Sequence, residues 1–211
     1  MHDFRVAHGA TEILLIRHAE AEGIRPSEAV EPKDVDLPLT SRGRMQALAL
    51  ASRLRHRDLA AVYASPLRRA RETALEVATA TELTVIEDSR LREVEIAGVG
   101  PVAMHDLAEI AIAHGGWSHL PGTEPSHEIR ERMREAIAAI VAAYPGKRVA
   151  AISHAGAINA YIASLLDLQS DFFFPAGNTS ISVVRARDDR RLLVSINDIA
   201  HLELMRDVRR S

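Results

Sequence analysis

Two histidines stand at the ends of short apolar runs, and their neighbours set the chemical question. The first run, Ile13 to Ile16, breaks off at Arg17-His18, and the second, Val149 to Ile152, breaks off at Ser153-His154. Between them lie "SPLRRARE", with Ser65, Arg68 and Arg69, and "SRLREVE", with Arg90, Arg92, Glu93 and Glu95. Guanidinium groups form bidentate, charge-assisted bonds to phosphate oxygens and stay charged at any working pH. A neutral imidazole can attack phosphorus and hold the phosphoryl group, dividing one difficult transfer into two easier ones. Nearby cations oppose protonation of that imidazole and keep its lone pair free near neutrality. A second, protonated imidazole would neutralise charge on the equatorial oxygens of the transition state. A carboxylic acid would give the departing alkoxide its proton. Brought together, these residue types suit a phosphate dianion.

The elements that must bring them together are visible as pattern. Six segments read as strands: Glu12–Arg17, Leu59–Ser65, Leu83–Asp88, Arg148–His154, Thr179–Ala186 and Leu192–Asn197. The first, second and fourth are short apolar runs, as expected of strands covered on both faces. Helical spacing fills the gaps, with stripes at Ala47, Leu50, Ala51 and Leu54, at Leu67, Ala70, Ala74 and Val77, at Ile129, Met133, Ile137, Ile140 and Tyr144, and at Ile158, Ile162 and Leu165. The second stripe is expected to open with Ser65 as N-cap and Pro66 at the first helical position. Pro145-Gly146 should stop the third. This alternation predicts an α/β domain, a three-layer α/β/α sandwich with a mostly parallel sheet of about six strands. The hairpin-like "RDDR" before the last strand predicts an antiparallel edge. In such a sheet ligands sit beyond the carboxyl ends of the strands. Both histidines, the arginines and the carboxylates are delivered to that edge, with an open helix N-terminus after His154 to add N–H donors.

Composition narrows the setting. The chain has 211 residues, 47% hydrophobic, 26% charged and only 4% aromatic, so its core must rest on Ala, Leu, Ile and Val. A single domain over residues 1–211 is expected. No apolar run approaches the roughly 20 residues that span a bilayer. The start, "MHDFRVAHGA", lacks the basic end and apolar centre of a signal peptide. Cysteine is absent, which excludes disulfides and thiolate chemistry and suits the cytoplasm. A net charge of −3 speaks against a general nucleic-acid binder. The charge is uneven, however. Ser41 to Thr73 carries eight arginines, while Glu20 to Asp36 carries six carboxylates. Two regions fit no strand–helix unit: the acidic loop Ala21–Pro38 and the Gly/Pro-containing insert Ala97–Gly122. The ten histidines show no HExxH or similar ligand spacing, and arginines beside them would repel a cation. Neither a metal nor another cofactor is expected.

On its motifs the chain resembles the histidine phosphatase superfamily, the group that includes the cofactor-dependent phosphoglycerate mutases. "LLIRHAE" is similar to the strand-RHG-E signature, which implies His18 as nucleophile and Arg17 as a phosphate-binding residue. "LTSRGRMQA" resembles LTxxGxxQA. "SPLRRARETA" resembles SxLxRAxxTA and puts the motif's phosphate-binding arginine at Arg69. "LREVEIAG" resembles the segment with the general acid, which falls on Glu93, with Glu95 two residues on as the alternative. "AAISHAGAI" resembles strand-SHGG-I and puts the second active-site histidine, also a phosphate ligand, at His154. "GNTSISVV" and "INDIAHL" look like the closing strands, with His201 expected to make structural hydrogen bonds. The matches run in order over roughly residues 12–202. Ala19 and Ala155 replace the family's glycines after the two histidines, and the Asn common after RHG is absent from "AEGI".

The resemblance implies a phosphomonoester hydrolase that works through phosphohistidine on a small phosphorylated metabolite or phosphoprotein, without nucleic acid or membrane as partner. A phosphoglycerate mutase-type transferase is the alternative within the family. The family's mutases are longer after the acid segment, whereas about 30 residues separate Glu93 from Glu124 here. A non-catalytic phosphate-binding module of the same fold is the alternative outside catalysis.

Overall fold

The computed structural model describes residues 9–23, 36–95, 113 and 122–203. The six strands are β1 (Thr11–Arg17), β2 (Leu59–Ala64), β3 (Val85–Glu87), β4 (Arg148–Ser153), β5 (Ile181–Arg187) and β6 (Arg190–Asp198). The α-helices bounded by described residues are α1 (Ser41–Leu54), α2 (Arg68–Thr81), α3 (Ser126–Ala143) and α4 (Ala155–Leu165). The sheet order is β3-β2-β4-β1-β5-β6. Pairing is parallel from β3 to β1 and antiparallel at β1–β5 and β5–β6. The three-layer α/β/α sandwich with an antiparallel edge is therefore what the chain forms.

The central strands alternate strictly between two cores, as a period of two requires. Ile13, Leu15, Val149 and Ala151 face Met133, Ile137 and Ile140 of α3 and Ile158, Tyr161 and Ile162 of α4. Leu14, Ile16, Ala150 and Ile152 face Leu50 and Leu54 of α1 and Ala70, Ala74 and Val77 of α2. Alanines on both sides let the helices lie close to the sheet, which is how a chain poor in aromatic residues fills its core.

β1, β2, β4 and β6 differ from the sequence reading by one or two residues at their ends, and three further boundaries differ for an identifiable reason. β3 is shorter than Leu83–Asp88 because Glu82 takes a left-handed conformation (φ 58°) at the end of α2 and the Leu83 amide closes that helix on Ala78 O at 2.9 Å. β5 starts at Ile181, since Thr179 is also left-handed (φ 56°). α2 starts at Arg68 with Leu67 as its N-cap residue, so Ser65 is not the cap and Pro66 is not the first helical position. The insert Ala97–Gly122, with His105, His114, His119 and Trp117, lies outside the described residues except for residues 113 and 122; residues 24–35 of the acidic loop lie outside them too. Among the described residues no helix is long and apolar enough to cross a membrane.

One glycine is sterically fixed. Thr40 caps α1 through its hydroxyl, which accepts from Gly43 N at 2.8 Å, and Thr40 N donates to Glu20 O at 3.0 Å. This lays the first turn of α1 directly on the chain leaving β1. A Cβ on Gly43 would stand 1.9 Å from Glu20 O. Elsewhere in a helix Gly→Ala is stabilising by about 0.5–1 kcal/mol. Here we predict the opposite sign: Gly43→Ala should lower stability by about 1–3 kcal/mol through forced backbone movement. A urea midpoint at or above that of the wild type would contradict this packing.

Candidate active site

The ends of β1 and β4 are flush, and β2 ends one residue short of them. Arg17 pairs with Ser153 and Ala64 with Ile152, so the next residues out, His18, His154 and Ser65, leave the sheet side by side. His18 N donates to Ser153 O at 2.9 Å, and Ser65 N to Ile152 O at 2.9 Å. The two imidazoles lie 5.0 Å apart between ring centroids, and both are buried.

His18 is held in one tautomer. Its Nδ1 lies 2.6 Å from Ala19 O, and a carbonyl only accepts, so Nδ1 carries the proton. The lone pair is therefore on Nε2, where Arg69 Nε donates at 3.2 Å. Burial pushes the His18 pKa well below 6.5, and Arg69 and Arg17 push it further down. The ring is therefore a neutral imidazole with its lone pair on Nε2.

The main chain around His18 is clamped. Thr179 N lies 3.0 Å from Arg17 O and 3.3 Å from His18 O, Asn178 Nδ2 donates to His18 O at 3.1 Å, and Ala19 N donates to Thr73 Oγ1 at 3.0 Å. Thr179 Oγ1 donates to Asn178 O at 2.7 Å and therefore accepts from His201 Nε2 at 2.9 Å. His201 Nδ1 then accepts from Arg53, which also pairs with Asp198. His201 thus has the structural role expected of it. Burial, then Arg53, pushes its pKa down to about 4 against the pull of Asp198.

Arg17 and Arg69 bring buried positive charge. Arg17 Nη1 donates to Ala176 O at 2.6 Å, while its Nε is buried without a partner. Among the described residues neither guanidinium is paired with a carboxylate. Such charge is costly unless an anion meets it. His154 differs from the expectation of a protonated imidazole: burial first, then His18, Arg69 and Arg17, pushes its pKa well below 6.5, so it is neutral here. Its Nε2 lies 2.8 Å from Ser65 Oγ, and its Nδ1 is buried without a partner. Arg17 Nε and His154 Nδ1 are the two buried side-chain polar atoms left unpartnered among the described residues.

Glu93 and Glu95 separate clearly. Glu95 is exposed, and its main chain pairs with Glu124. Glu93 is half-buried, and its carboxylate accepts from Gly156 N at 3.3 Å and Ala157 N at 3.1 Å, both in the first turn of α4. The helix N-terminus after His154 is therefore capped by Glu93, not open as the sequence reading had it. The segment carrying Glu93 is tied down by Arg132 of α3, which the sequence reading did not single out. Arg132 forms a two-pronged pair with Glu124 at 2.6 and 2.8 Å and donates to the carbonyls of Arg90, Arg92 and Glu93 at 2.8, 2.8 and 3.2 Å. In sequence Arg132 is one of several arginines on an amphipathic helix. Its role depends on contacts about 40 residues away.

A sequence model of the histidine phosphatase superfamily (branch 1) matches residues 13–199. Phosphoserine phosphatase 1 of Hydrogenobacter thermophilus is 28% identical over 200 residues, which cover 90% of this chain and 94% of that protein. A probable phosphoglycerate mutase, GpmB, of Salmonella choleraesuis is 25% identical over 209 residues, covering 91% and 95% of the two chains. The solved structure of a mycobacterial glucosyl-3-phosphoglycerate phosphatase superposes with a TM-score of 0.75 at 26% identity, over 89% of this chain and 99% of that one.

The electrostatics give a direct test. With pKa values depressed in the fold, His18, His154 and His201 bind protons later than in the unfolded chain. Their contribution to stability is therefore complete above about pH 6.5 and lost as the pH falls toward the folded values. In an NMR titration of the phosphate-free protein, His18 and His154 should not titrate through pH 6.5, and His201 should titrate near 4. An ordinary midpoint for His18 would refute the proposed burial between two guanidiniums.

Proposed function

The chain belongs to the histidine phosphatase superfamily, and on that footing we propose that it hydrolyses phosphomonoesters of small metabolites through a phosphohistidine on His18. The observation that carries this reading is the pair of unpartnered buried polar atoms, Arg17 Nε and His154 Nδ1, beside an imidazole whose lone pair is on Nε2 and is met there, among the described residues, only by Arg69 Nε. A phosphate group supplies acceptor oxygens for the donors and an electrophile for the lone pair.

In this scheme Arg17, Arg69 and His154 bind the phosphate, and Arg69 turns from Nε2 to a phosphoryl oxygen. His18 Nε2 forms a bond to phosphorus as the ester P–O bond breaks, and Glu93 gives its proton to the leaving oxygen. The imidazole ring becomes cationic on phosphorylation, and the Ala19 carbonyl at Nδ1 stabilises that charge. Glu93 then takes a proton from water as the water oxygen attacks phosphorus. The P–N bond breaks, inorganic phosphate leaves, and neutral His18 is restored. No step calls for a metal ion. The phosphoserine and glucosyl-3-phosphoglycerate phosphatases among the relatives support a small hydroxylated metabolite as leaving group. A chain without cysteine suits the cytoplasm as its compartment.

The first experiment measures p-nitrophenyl phosphate turnover in EDTA. Wild-type activity that His18→Ala abolishes is the expected outcome; equal rates in both proteins would sink the assignment. Free phosphate release against isomer formation from 3-phosphoglycerate separates hydrolase from mutase, and release is expected. The second experiment varies the leaving group. Glu93→Gln should lower kcat by about 100- to 10,000-fold with an alkyl phosphate and much less with p-nitrophenyl phosphate, whose leaving group needs little protonation. Arg132→Met should show the same dependence at about ten- to a hundredfold, and Glu95→Gln should show none. A leaving-group effect confined to Glu95→Gln would reassign the acid.

A further inference from the structure

We infer that Ser65 fixes the tautomer of His154, so that Nδ1 carries the proton and is the donor available to a ligand. Ser65 and His154 are both fully buried, and their side chains meet at 2.8 Å between Oγ and Nε2. The hydroxyl has a second partner, the Leu67 amide, which donates to Oγ at 3.3 Å. With one Oγ lone pair taken by that N–H, two arrangements remain. In one, Ser65 O–H donates to His154 Nε2, and the imidazole proton sits on Nδ1. In the other, Nε2–H donates to Oγ, which leaves the buried hydroxyl proton with no acceptor among the described residues and Nδ1 with a bare lone pair.

The second arrangement costs a buried unmade hydrogen bond, about 1–3 kcal/mol in comparable cases. It would also present a lone pair, not a donor, to an anion. The first satisfies every group but Nδ1–H, and Nδ1 is one of the two unpartnered buried atoms among the described residues. His154 then supplies a hydrogen bond as a neutral imidazole, and Ser65 acts as a positioning residue through it. This also accounts for Ser65 not capping α2: its hydroxyl is turned to His154 after β4, and the helix starts at Arg68 with Leu67 as its N-cap residue. The kinetic part of the inference rests on the phosphate-ester reading above. The tautomer itself does not.

The test is a two-bond proton–nitrogen correlation spectrum of protein labelled with nitrogen-15 histidine, with His154→Asn used for assignment. The wild type should show a protonated Nδ1 and a pyridine-like Nε2 at His154. Ser65→Ala should lose that pattern, and Ser65→Thr, which keeps the hydroxyl, should retain it. With an alkyl phosphate, Ser65→Ala should lower kcat about tenfold or more with KM nearly unchanged, and Ser65→Thr should recover most of it. A wild-type spectrum with the proton on Nε2 overturns the inference, even if Ser65→Ala fails to fold. An unchanged pattern and kcat in folded Ser65→Ala overturns it as well. The Nδ1–H pattern with no turnover in any variant would remove the hydrolase reading while supporting the tautomer assignment.

Discussion

The pairing of β1 with β4, from Glu12 against Arg148 to Arg17 against Ser153, is the constraint from which the site follows. A slip of one residue would shift His18 by about 3.3 Å relative to His154 and turn each apolar side chain to the wrong core. The register is pinned at the opposite end of the sheet. There the Glu12 carboxylate, nearly buried, pairs with Arg148 at 2.5 Å and Arg185 at 2.7 Å, one from each neighbouring strand. Burial opposes the charge on Glu12, but the two guanidiniums outweigh it and hold the pKa below its usual value. An ion triad at one edge and a histidine pair at the other are thus two ends of one alignment.

The two edges differ in how their charge is balanced. At the Glu12 edge the chain supplies both signs. At the histidine edge it supplies buried guanidiniums and no pairing carboxylate among the described residues; burial first, and then these guanidiniums, lowers the basicity of both imidazoles. This is the kind of local conflict, with unmatched charge inside an otherwise consistent fold, that marks a functional site. The layers divide the remaining work. α2 carries Arg69 from one face, whereas α3 and α4 hold the Glu93 segment from the other, through Arg132 and the first-turn amides.

Much of this was legible in the sequence because it is local. Apolar runs of four to six residues marked β1, β2 and β4, and the helical stripes named the buried faces of all four helices. The ends of those runs named His18, His154 and Arg17. The illegible parts depend on contacts remote in sequence. Ser65 looked like a cap because Ser-Pro often begins a helix, but its partner is His154, 89 residues away. The helix after His154 looked open because nothing near it in sequence reveals that Glu93, some 60 residues earlier, reaches its amides. Arg132 and Thr179 carry no local signal at all. A left-handed threonine is rare enough to be noticed only once the backbone is known.

The hydrogen bond from Arg69 to His18 Nε2 has one more implication. The nitrogen proposed as nucleophile is covered by a guanidinium, a group whose affinity for phosphate exceeds its affinity for imidazole. A ligand without a dianionic head has nothing to draw that cover aside. In the proposed reaction, recognition and unmasking are then a single event.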